Sequence, residues 1–334
     1  MITDRLATAW GGPAGSGRLR ERPEDFRVDE VLGFEPGGGG EHLWLWVRKR
    51  GANSEDVAAA LAQAAAVRRR RVGYSGRKDR NAETRQWFSL HLPGAADPEW
   101  PAAGADRWEV ERAVRHPRKL RTGTHRANAF RLRVRGFEGD RAMAEARLAA
   151  IARAGFPNYF GPQRFGREGE NLKRARTALT ARGRRPSGIQ LSAARSWLFN
   201  LVLDRRVADG SWCRALPDDA MMLAGTHSVF RCRGDEPDLE SRLAAHDLDP
   251  TGPMCGRGEA VAGPAAIARE RAWLEDEAAL LAALEDFGVT ASRRALRAHA
   301  PDLEWSWDGD DLWLAFSLPR GAFATSLLRE VVQT

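Results

Sequence analysis

Several features that mark other protein classes are absent from this chain. No apolar run approaches the roughly 20 residues that span a membrane, and the first residues do not form a signal peptide. The cysteines, Cys213, Cys232 and Cys255, are odd in number and form no Cys-x-x-Cys pair, which argues against a disulfide framework and a zinc site. We therefore expect a protein of the reducing cytoplasm.

Motifs of several common enzyme classes are also missing. No His-Glu-x-x-His zinc motif is present, and the four glycines at 37–40 lack the Gly-Lys-Ser/Thr ending of a phosphate loop. The segment GYSGR at 73–77 is not the Gly-x-Ser-x-Gly nucleophile motif, because Gly76 follows Ser75 directly. No dinucleotide-binding fingerprint follows a predicted strand. These absences argue against a zinc hydrolase, a P-loop NTPase and a dinucleotide enzyme.

Lysine, tyrosine and asparagine are scarce. Lysine occurs only at positions 49, 78, 119 and 173, against 48 arginines, and tyrosine only at 74 and 159. The scarce residues gather in three windows, at 72–91, 119–130 and 157–173. In a composition shifted towards arginine, a retained lysine indicates a position that resists replacement. The three windows are therefore candidate functional segments.

Positive charge is abundant and concentrated. The formal net charge is +7, and the pI is about 10.0. This density favours a polyanionic partner, most simply a nucleic acid, over the alternative of solvated basic faces in an arginine-rich protein. The basic runs lie at 67–72, 115–126, 131–135 and 174–185.

Hydrophobic periodicity predicts an α+β protein. Strands are predicted near both ends of the chain, and one of them, at 128–137, places Phe130, Leu132 and Val134 on one face and the intervening arginines on the other. Helices dominate from about 160 to 300, with the clearest at 168–180, 191–209 and 264–287. A hairpin is predicted around Asp308-Gly309. Strand-rich ends around a helix-rich middle indicate a domain interrupted by an inserted one. The remaining strands and helices are predicted at 24–30, 42–49, 53–67, 71–76, 84–92, 140–154 and 321–332.

The segment Lys78-Asp79-Arg80 places one carboxylate between two cations after a predicted strand. One interpretation is a surface ion pair, which is favoured for such a tripeptide on its own. The other is a nucleophile that neighbouring positive charge keeps ionised when a ligand excludes water. Alternation of side chains predicts that Lys78 and Arg80 do not both point with Asp79, so that one can touch phosphate while the other supports the fold.

Six segments in order resemble the tRNA pseudouridine synthase D (TruD) family. The central one, GYSGRKDRNAETRQWFS, resembles the signature around the family's catalytic aspartate. The resemblance extends over nearly the whole chain and is weakest from about 210 to 262. The other five segments are RPEDFRVDEVLGFEPGGGGEH, HPRKLRTGTHRANAFRLRVR, GFPNYFGPQRFG, LSAARSWLFNLVL and LPRGAFATSLLREV.

The resemblance implies a fold and an activity. The fold would be a mixed-sheet catalytic domain formed by 1–154 and 301–334, interrupted at 155–300 by a mainly helical, TruD-specific α/β domain that forms the second wall of a basic cleft. The activity would be isomerisation of a uridine in the D arm of tRNA, position 13 in the family, to pseudouridine. It needs no metal, nucleotide or other cofactor. The expected partner is tRNA alone, with no membrane and no obligate protein partner, and the protein is expected to be a cytoplasmic monomer.

The resemblance also implies site residues. Asp79 matches the catalytic nucleophile, and Phe130 stands where most pseudouridine synthases have a tyrosine. Phe26, Asn128 and Phe323 match positions that line the uridine pocket, where aromatic rings stack on an extruded base and an amide suits the edge of uracil. Residue patterns alone leave Phe130 and Phe323 as core residues and Asn128 as a turn residue. Lys78 and Arg164 are candidate RNA or phosphate contacts, with a domain-junction ion pair as the alternative for Arg164.

Two other functions fit parts of the sequence. A non-catalytic basic RNA-binding module or RNA chaperone would use the basic runs and aromatic residues but would have no use for a carboxylate near phosphates. An RNA-processing nuclease would need a cluster of metal-binding carboxylates, and none stands out. For an isomerase, three routes are open to Asp79: attack on the ribose, attack on the base, or initial removal of a ribose proton.

Overall fold

The structure is a computed structural model that describes residues 3–100, 107–180, 186–234, 236, 238–258 and 261–334. The chain forms two compact units. We call the first the sheet unit; it comprises Gly15–Gly139, Ala300–Gly321 and Thr334. The second, the helical unit, comprises Met1–Ala14, Asp140–His299 and Ala322–Gln333. The division into catalytic and inserted domains at 154/155 and 300/301 stays a prediction.

The sheet unit contains a nine-stranded mixed sheet within the described residues. The strands are β1 (Gly15–Leu19), β2 (Phe26–Val31), β3 (His42–Arg50), β4 (Val72–Tyr74), β5 (Glu83–His91), β6 (Trp108–His116), β7 (Ala127–Gly139), β14 (Glu304–Asp308) and β15 (Asp311–Pro319). Their main path runs β14-β15-β7-β2-β5-β3-β6, with β1 paired to β7 and β4 paired to β5. Strand β2 pairs with β5 in parallel, and the other pairings described in this sheet are antiparallel.

One face of this sheet is covered by helix α1 (Ser54–Ala64). Val57 and Leu61 of the helix pack with Leu45 and Phe88 of the sheet, and all four are buried. Burial of each such side chain contributes about 1.5–3 kcal/mol. Helix α1 begins after Asn53, whose N–H donates to the Asp56 carboxylate at 3.3 Å. A helix that starts at this place fixes one boundary of the segment that carries Asp79.

The opposite face of the sheet carries ladders of paired charges. Arg85 Nε lies 3.0 Å from Glu111, and Arg27 Nε lies 3.6 Å from Glu83. On β7, Arg135 Nη2 lies 2.7 Å from Asp25, and Arg133 donates to Asp311 at 2.6 Å. The predicted alternation along β7 is confirmed, since Leu132 and Val134 are buried and Arg131 is exposed. The arginines of this run therefore cover the outer face of the sheet, as opposite-charge partners across strands.

The hairpin predicted around Asp308-Gly309 is confirmed. Asp308 pairs with Asp311, and the turn between them places Gly309 at a φ of 59°. This is the left-handed region that glycine adopts without a steric cost. The hairpin supplies β14 and β15, which complete the sheet beside β7. Residues near the two ends of the chain thus form one sheet, as the sequence predicts.

The helical unit is built around helix α4 (Gly188–Ala208). Leu198, Phe199 and Val202 of this helix are buried in the core of the unit. Two small sheets accompany the helices, one in the order β10-β9-β11-β12 and one formed by β13 and β8. The helices are α2 (Arg141–Ala154), α3 (Glu170–Thr180), α4 (Gly188–Ala208), α5 (Leu239–Ala244), α6 (Pro264–Trp273), α7 (Ala278–Asp286) and α8 (Ala324–Leu328). The strands are β8 (Phe156–Pro157), β9 (Ala220–Leu223), β10 (Val229–Arg231), β11 (Leu248–Met254), β12 (Ser292–Ala295) and β13 (Arg297–Ala298).

The predicted helices at 168–180 and 191–209 correspond to α3 and α4. The segment predicted as helical at 264–287 instead forms two helices, α6 and α7, separated by a 3-10 turn at Glu275–Glu277. No helix in the described part of the chain is long and apolar enough to cross a membrane. The α+β class predicted from the sequence is confirmed by a mixed sheet and separate helices.

Candidate active site

The loop that carries Asp79 connects β4 to β5, and two buried polar side chains hold it by hydrogen bonds. Ser54, at the start of α1, accepts the Lys78 N–H at 3.0 Å and donates to Gln86 Oε1 at 2.6 Å. Gln86 in turn donates from Nε2 to the Gly76 carbonyl at 3.0 Å. Each of these hydrogen bonds satisfies a buried polar group, and a buried polar group left without a partner would destabilise the fold. The loop is therefore anchored to the helix and to the neighbouring strand.

A buried ammonium group supports the same loop. The Lys49 side chain, at the end of β3, is 0% exposed, and its Nζ donates to the carbonyls of Ala52 at 2.8 Å and Asp79 at 2.9 Å. Burial away from water lowers the pKa of Lys49 to about 8, and the charge of Asp79 opposes part of this shift. Lys49 thus fixes the backbone of Asp79 from the interior and leaves the carboxylate to point elsewhere.

The carboxylate of Asp79 contacts one cation directly. Arg20 Nη2 lies 3.0 Å from Oδ2, and the N–H of Asn81 donates to Oδ1 at 3.1 Å. The Asp79 side chain is 35% exposed, so it stays open to a ligand. Arg20 has a φ of 63°, an uncommon conformation for a residue other than glycine. Arg20, in the segment after β1, thus pairs with Asp79.

Aromatic rings lie beside this ion pair. The Arg20 guanidinium stands 4.0 Å from the centre of the Phe26 ring, and Phe26 meets Phe130 edge to face at 6.2 Å. Phe130 stacks on Phe316 of β15 at 5.3 Å. Pairing of β2 with β7 places Phe26 and Phe130 on one face of the sheet. Phe26 and Phe316 are each 3% exposed, whereas Phe130 is only partly buried. Of these three rings, Phe130 is therefore the one that can meet a flat base.

Asn128 lies on the same face of β7 as Phe130 and is held by Lys78. Lys78 Nζ donates to Asn128 Oδ1 at 2.5 Å and lies 3.2 Å from Glu30 Oε2. The Lys78 side chain is 6% exposed and that of Glu30 is fully buried. Burial lowers the pKa of Lys78 and raises the pKa of Glu30, while their mutual attraction opposes both shifts. Lys78 is therefore directed inward, towards Glu30 and Asn128.

A second pair of polar side chains borders Glu30. His125 Nδ1 and the Ser75 hydroxyl are 2.5 Å apart, and His125 Nδ1 lies 3.9 Å from Glu30 Oε2. Burial and the charge of Lys78 lower the pKa of His125 to about 4, so the imidazole is neutral at pH 7. The Ser75 hydroxyl also accepts the His125 N–H at 2.8 Å, which ties the loop before Asp79 to the segment before β7.

These contacts, strand register and adjacency in the chain link six residues of the sheet unit, and we call this set the ring of contacts. The carboxylate contacts an arginine, the arginine covers one phenylalanine, and that ring meets a second phenylalanine two residues from the asparagine. The asparagine bonds to the lysine that precedes the aspartate in the chain. One carboxylate, two cations, two aromatic rings and one amide are therefore linked to one another in the sheet unit. In order, the members are Asp79, Arg20, Phe26, Phe130, Asn128 and Lys78.

The profile of the family described as tRNA pseudouridine synthase D (TruD) matches residues 6–182 and 168–331. The chain belongs to this family. The tRNA pseudouridine synthase D of Methylococcus capsulatus is 46% identical over 99% of this chain and 95% of the relative. That of Stutzerimonas stutzeri is 47% identical over 99% of this chain and 98% of the relative. The resemblance found in the sequence is confirmed.

A solved structure shows that the fold is shared as well. A Methanosarcina mazei protein described as tRNA pseudouridine synthase D (TruD) superposes with a TM-score of 0.73 at 20% identity. The match covers 98% of this chain and 96% of the other. A mixed-sheet α+β fold of the TruD type is thereby confirmed for this chain.

The structure brings together five of the seven residues that the resemblance to TruD indicates. They are Asp79, Phe26, Asn128, Phe130 and Lys78, and all lie in the sheet unit. Phe323 and Arg164 lie in the helical unit, where both pack on Phe160, at 5.9 Å between ring centres and 5.3 Å from guanidinium to ring. Arg164 also donates to Ser192 Oγ at 3.0 Å, and burial lowers its pKa. The roles of all seven residues stay predictions.

The position of Lys78 does not favour a direct phosphate contact. Its ammonium is already engaged by Glu30 and Asn128, and its side chain is nearly inaccessible to solvent. Its neighbour Arg80 is exposed and donates from Nε to the Gly51 carbonyl at 3.3 Å. The expectation that one of the two cations supports the fold agrees with this geometry, and Lys78 is the inward one.

Three further residues of the site were not predicted from the sequence. Arg20 is one of 48 arginines, so its type carries no signal. Glu30 looks like an ordinary polar residue at the end of a strand. Lys49 had a signal, because it is one of only four lysines, but it lies outside the three windows where scarce residues gather. Scarcity alone, without clustering, would have indicated Lys49.

The basic runs differ in how much of their charge is free. The run 131–135 is engaged by Asp311 and Asp25 and covers the outer face of the sheet. In the run 67–72, Arg69 pairs with Glu55 at 2.6 Å, whereas Arg68, Arg70 and Arg71 are exposed. The part of the fourth run at 181–185, which includes Arg184 and Arg185, lies outside the described residues. Among the residues that are described, no group of three or more histidine, cysteine or acidic side chains could hold a metal ion.

The buried lysine predicts a pH-dependent stability. Between pH 8 and the ordinary lysine pKa of about 10.5, the unfolded chain holds a proton on Lys49 that the folded chain has released. Stability rises with pH wherever the unfolded state binds more protons, so this contribution increases across that window. We expect the free energy of unfolding of the wild type to rise from pH 7 to 10 relative to Lys49→Met, which lacks the titrating group.

Chemical denaturation of both proteins at several pH values measures this difference. Lys173→Met is the matched control, because Lys173 is exposed and the substitution removes the same charge. A difference between wild type and Lys49→Met that stays constant from pH 7 to 10 would show that Lys49 titrates normally.

Proposed function

We propose that this chain converts a uridine of tRNA to pseudouridine, that this uridine lies in the D arm at position 13, and that Asp79 is the nucleophile. Membership of the TruD family supports the reaction and the substrate class. The ring of contacts around Asp79 is the single observation that supports the site. The D-arm position and the nucleophile rest on the resemblance of the segments around Asp79.

The reaction needs few chemical groups, and the ring supplies them. The glycosidic bond between N1 and C1′ breaks, a bond between C5 and C1′ forms, C5 loses a proton and N1 gains one. The product is an isomer of the substrate, so no electrons or atoms have to come from a cofactor. Asp79 supplies the carboxylate that all three routes require, and Arg20 pairs with it at 3.0 Å.

The remaining members of the ring suit the handling of a base. Phe130 is partly buried and offers an apolar ring on which uracil can stack after leaving the RNA helix. Phe26, which is 3% exposed, supports Phe130 edge to face. The Asn128 amide has donors to offer to the edge of the base. Detached uracil must rotate before it is rejoined through carbon, and a pocket walled by aromatic rings can retain it while excluding water.

We also propose that the helical unit takes part in binding. Phe323 would contact the uridine and Arg164 a phosphate, as the resemblance indicates. The packing of both on Phe160 supports a common role within that unit. The functional domains at 1–154, 155–300 and 301–334, a cytoplasmic location and a monomeric state remain parts of this proposal.

Release of hydrogen from C5 tests the reaction directly. Unmodified tRNA transcribed with uridine tritiated at C5 should lose tritium to water when the purified protein is added without any cofactor. A non-catalytic RNA-binding module would bind the same tRNA and release none. Absence of release by a folded protein that binds tRNA would refute the proposed activity and favour the binding module.

Binding of tRNA should be strongly dependent on salt. Each phosphate neutralised by arginine or lysine releases condensed counterions, and each contact contributes roughly −0.9 to the slope of log affinity against log salt on a duplex. Arg68, Arg70 and Arg71 are exposed, and no carboxylate pairs with them in the described part of the chain. We expect their joint replacement by glutamine to reduce the slope by about 2 to 3.

A control with the same loss of charge is available elsewhere on the surface. Arg112 and Arg271 are exposed and Arg242 is half-buried, and the three are paired with Glu35, Glu285 and Asp247, respectively. Their joint replacement by glutamine should change the slope by less than one contact. Affinity for tRNA across a salt series decides the matter. Equal slopes for the two triple variants would remove Arg68, Arg70 and Arg71 from the interface.

A further inference from the structure

We propose that Lys78 is a positioning residue that fixes the orientation of the Asn128 amide, so that its NH2 group faces the base and donates to a carbonyl oxygen of uracil. This inference rests on the proposed function, because it concerns how the site recognises uracil. It assigns to Lys78 a role in substrate specificity and replaces the expected phosphate contact.

Hydrogen-bond chemistry sets the orientation of the amide. A lysine ammonium has three donors and no acceptor, so the amide atom that meets it must be the oxygen. Lys78 Nζ lies 2.5 Å from Asn128 Oδ1, a short hydrogen bond from a charged donor. If the amide rotated by half a turn, its NH2 would face the ammonium, and two donors would meet with no acceptor. The contact therefore selects one of the two orientations.

The lysine itself is fixed. Its Nζ lies 3.2 Å from Glu30 Oε2, and Glu30 Oε1 accepts the backbone N–H of Trp87 at 3.3 Å. The N–H of Lys78 donates to Ser54, which anchors its backbone as well. His125 is a further titratable group beside this pair, with Nδ1 at 3.9 Å from Glu30, and, besides burial, the charge of Lys78 also helps to lower the pKa of Lys49. The backbone and the ammonium of Lys78 are therefore both held by hydrogen bonds or ion pairs, so the ammonium cannot rotate away from the Asn128 amide.

The consequence is a rule for recognition. With its oxygen engaged by Lys78, the amide keeps its N–H donors for the base, and Asn128 lies on the face of β7 that carries Phe130. A uracil carbonyl accepts such a donor. The exocyclic amine of cytosine would place a donor against a donor, and a buried donor left without an acceptor is costly. Lys78 thereby favours a base with a carbonyl oxygen at that position.

Single-turnover rates of pseudouridine formation at saturating enzyme test whether Lys78 acts through Asn128. We expect Lys78→Met to lower the rate by about tenfold or more, as for the loss of one oriented hydrogen bond. Asn128→Ala should lower it by a similar factor. Since both changes remove the same contact to the base, the double variant should be no slower than Asn128→Ala. Losses that multiply in the double variant would show that Lys78 acts independently of Asn128.

Two further variants separate orientation from simple structural support. Glu30→Gln removes the ion pair but keeps the lysine donor, so it should reduce thermal stability and lower the rate less than Lys78→Met does. Asn128→Asp keeps an acceptor for Lys78 but offers no N–H to the base, so it should be as slow as Asn128→Ala. An active Asn128→Asp, or a Glu30→Gln as slow as Lys78→Met, would overturn the proposal.

The outcomes also distinguish this inference from the proposed function. If the wild type forms no pseudouridine, the function itself is wrong. If the wild type is active and the Lys78 and Asn128 effects multiply, the function stands and only the role of Lys78 fails. Thermal unfolding of each variant confirms that the compared proteins are folded, and Lys78→Gln replaces Lys78→Met if the latter does not fold.

Discussion

Replacement of Asp79 by asparagine is expected to abolish pseudouridine formation while leaving the fold and the affinity for tRNA intact. Asparagine has nearly the same shape but cannot act as an anionic nucleophile or as a base. The side chain is partly exposed and makes one ion pair, so the fold does not depend on its charge. We expect the single-turnover rate to fall by at least about a thousandfold, which corresponds to ~4 kcal/mol of barrier.

The comparison requires tRNA affinity and thermal unfolding for wild type and variant. Asp97→Asn is a suitable control, because Asp97 pairs with Arg115 on an exposed part of the sheet unit. Its rate should match the wild type. Turnover of Asp79→Asn within about tenfold of the wild type, a change of only ~1.4 kcal/mol, would exclude Asp79 as the nucleophile.

The second large effect is expected for Arg20, whose guanidinium contacts both Asp79 and the Phe26 ring. Arg20→Met removes the cation that contacts the Asp79 carboxylate and leaves a side chain of similar length on the Phe26 ring. The carboxylate then loses the ion-pair partner that orients it. We expect the single-turnover rate to fall by about 100-fold, or ~2.7 kcal/mol.

Arg20→Lys should recover part of this loss, since it restores a positive charge without the planar group that covers the ring. Arg18→Met is the matched control: Arg18 is an exposed arginine two residues earlier that pairs with Glu21. It should leave the rate unchanged. If Arg20→Met and Arg18→Met behave alike, the ion pair to Asp79 has no part in catalysis.

Local patterns in the sequence predicted the elements that carry the site. The alternation along 128–137 placed Phe130 and Leu132 on one face, and the structure has them there on β7. The turn between two short strands placed Asp79 on a loop, and the structure has it between β4 and β5. Such features follow from residues close together in the chain, so they can be inferred from one sequence.

The partners of Asp79 depend on long-range packing instead. Arg20 reaches it from the segment after β1, and Lys49 reaches its carbonyl from β3. Glu30 meets Lys78 because β2 lies beside both β5 and β7 in the sheet. The local periodicity of the sequence predicts individual strands but does not predict this strand order. Without it, Lys78 looked like a surface cation near a nucleophile, whereas the structure shows a buried cation between a carboxylate and an amide.

The claim at the centre of this account is that Asp79 isomerises one uridine in the D arm of tRNA. Position-resolved chemical mapping of pseudouridine in an unmodified tRNA, after incubation with wild type or with Asp79→Asn and no cofactor, tests it most directly. The account predicts one new pseudouridine, at position 13, with the wild type and none with the variant. Pseudouridine at another position, none with the wild type, or equal amounts with both proteins would contradict it.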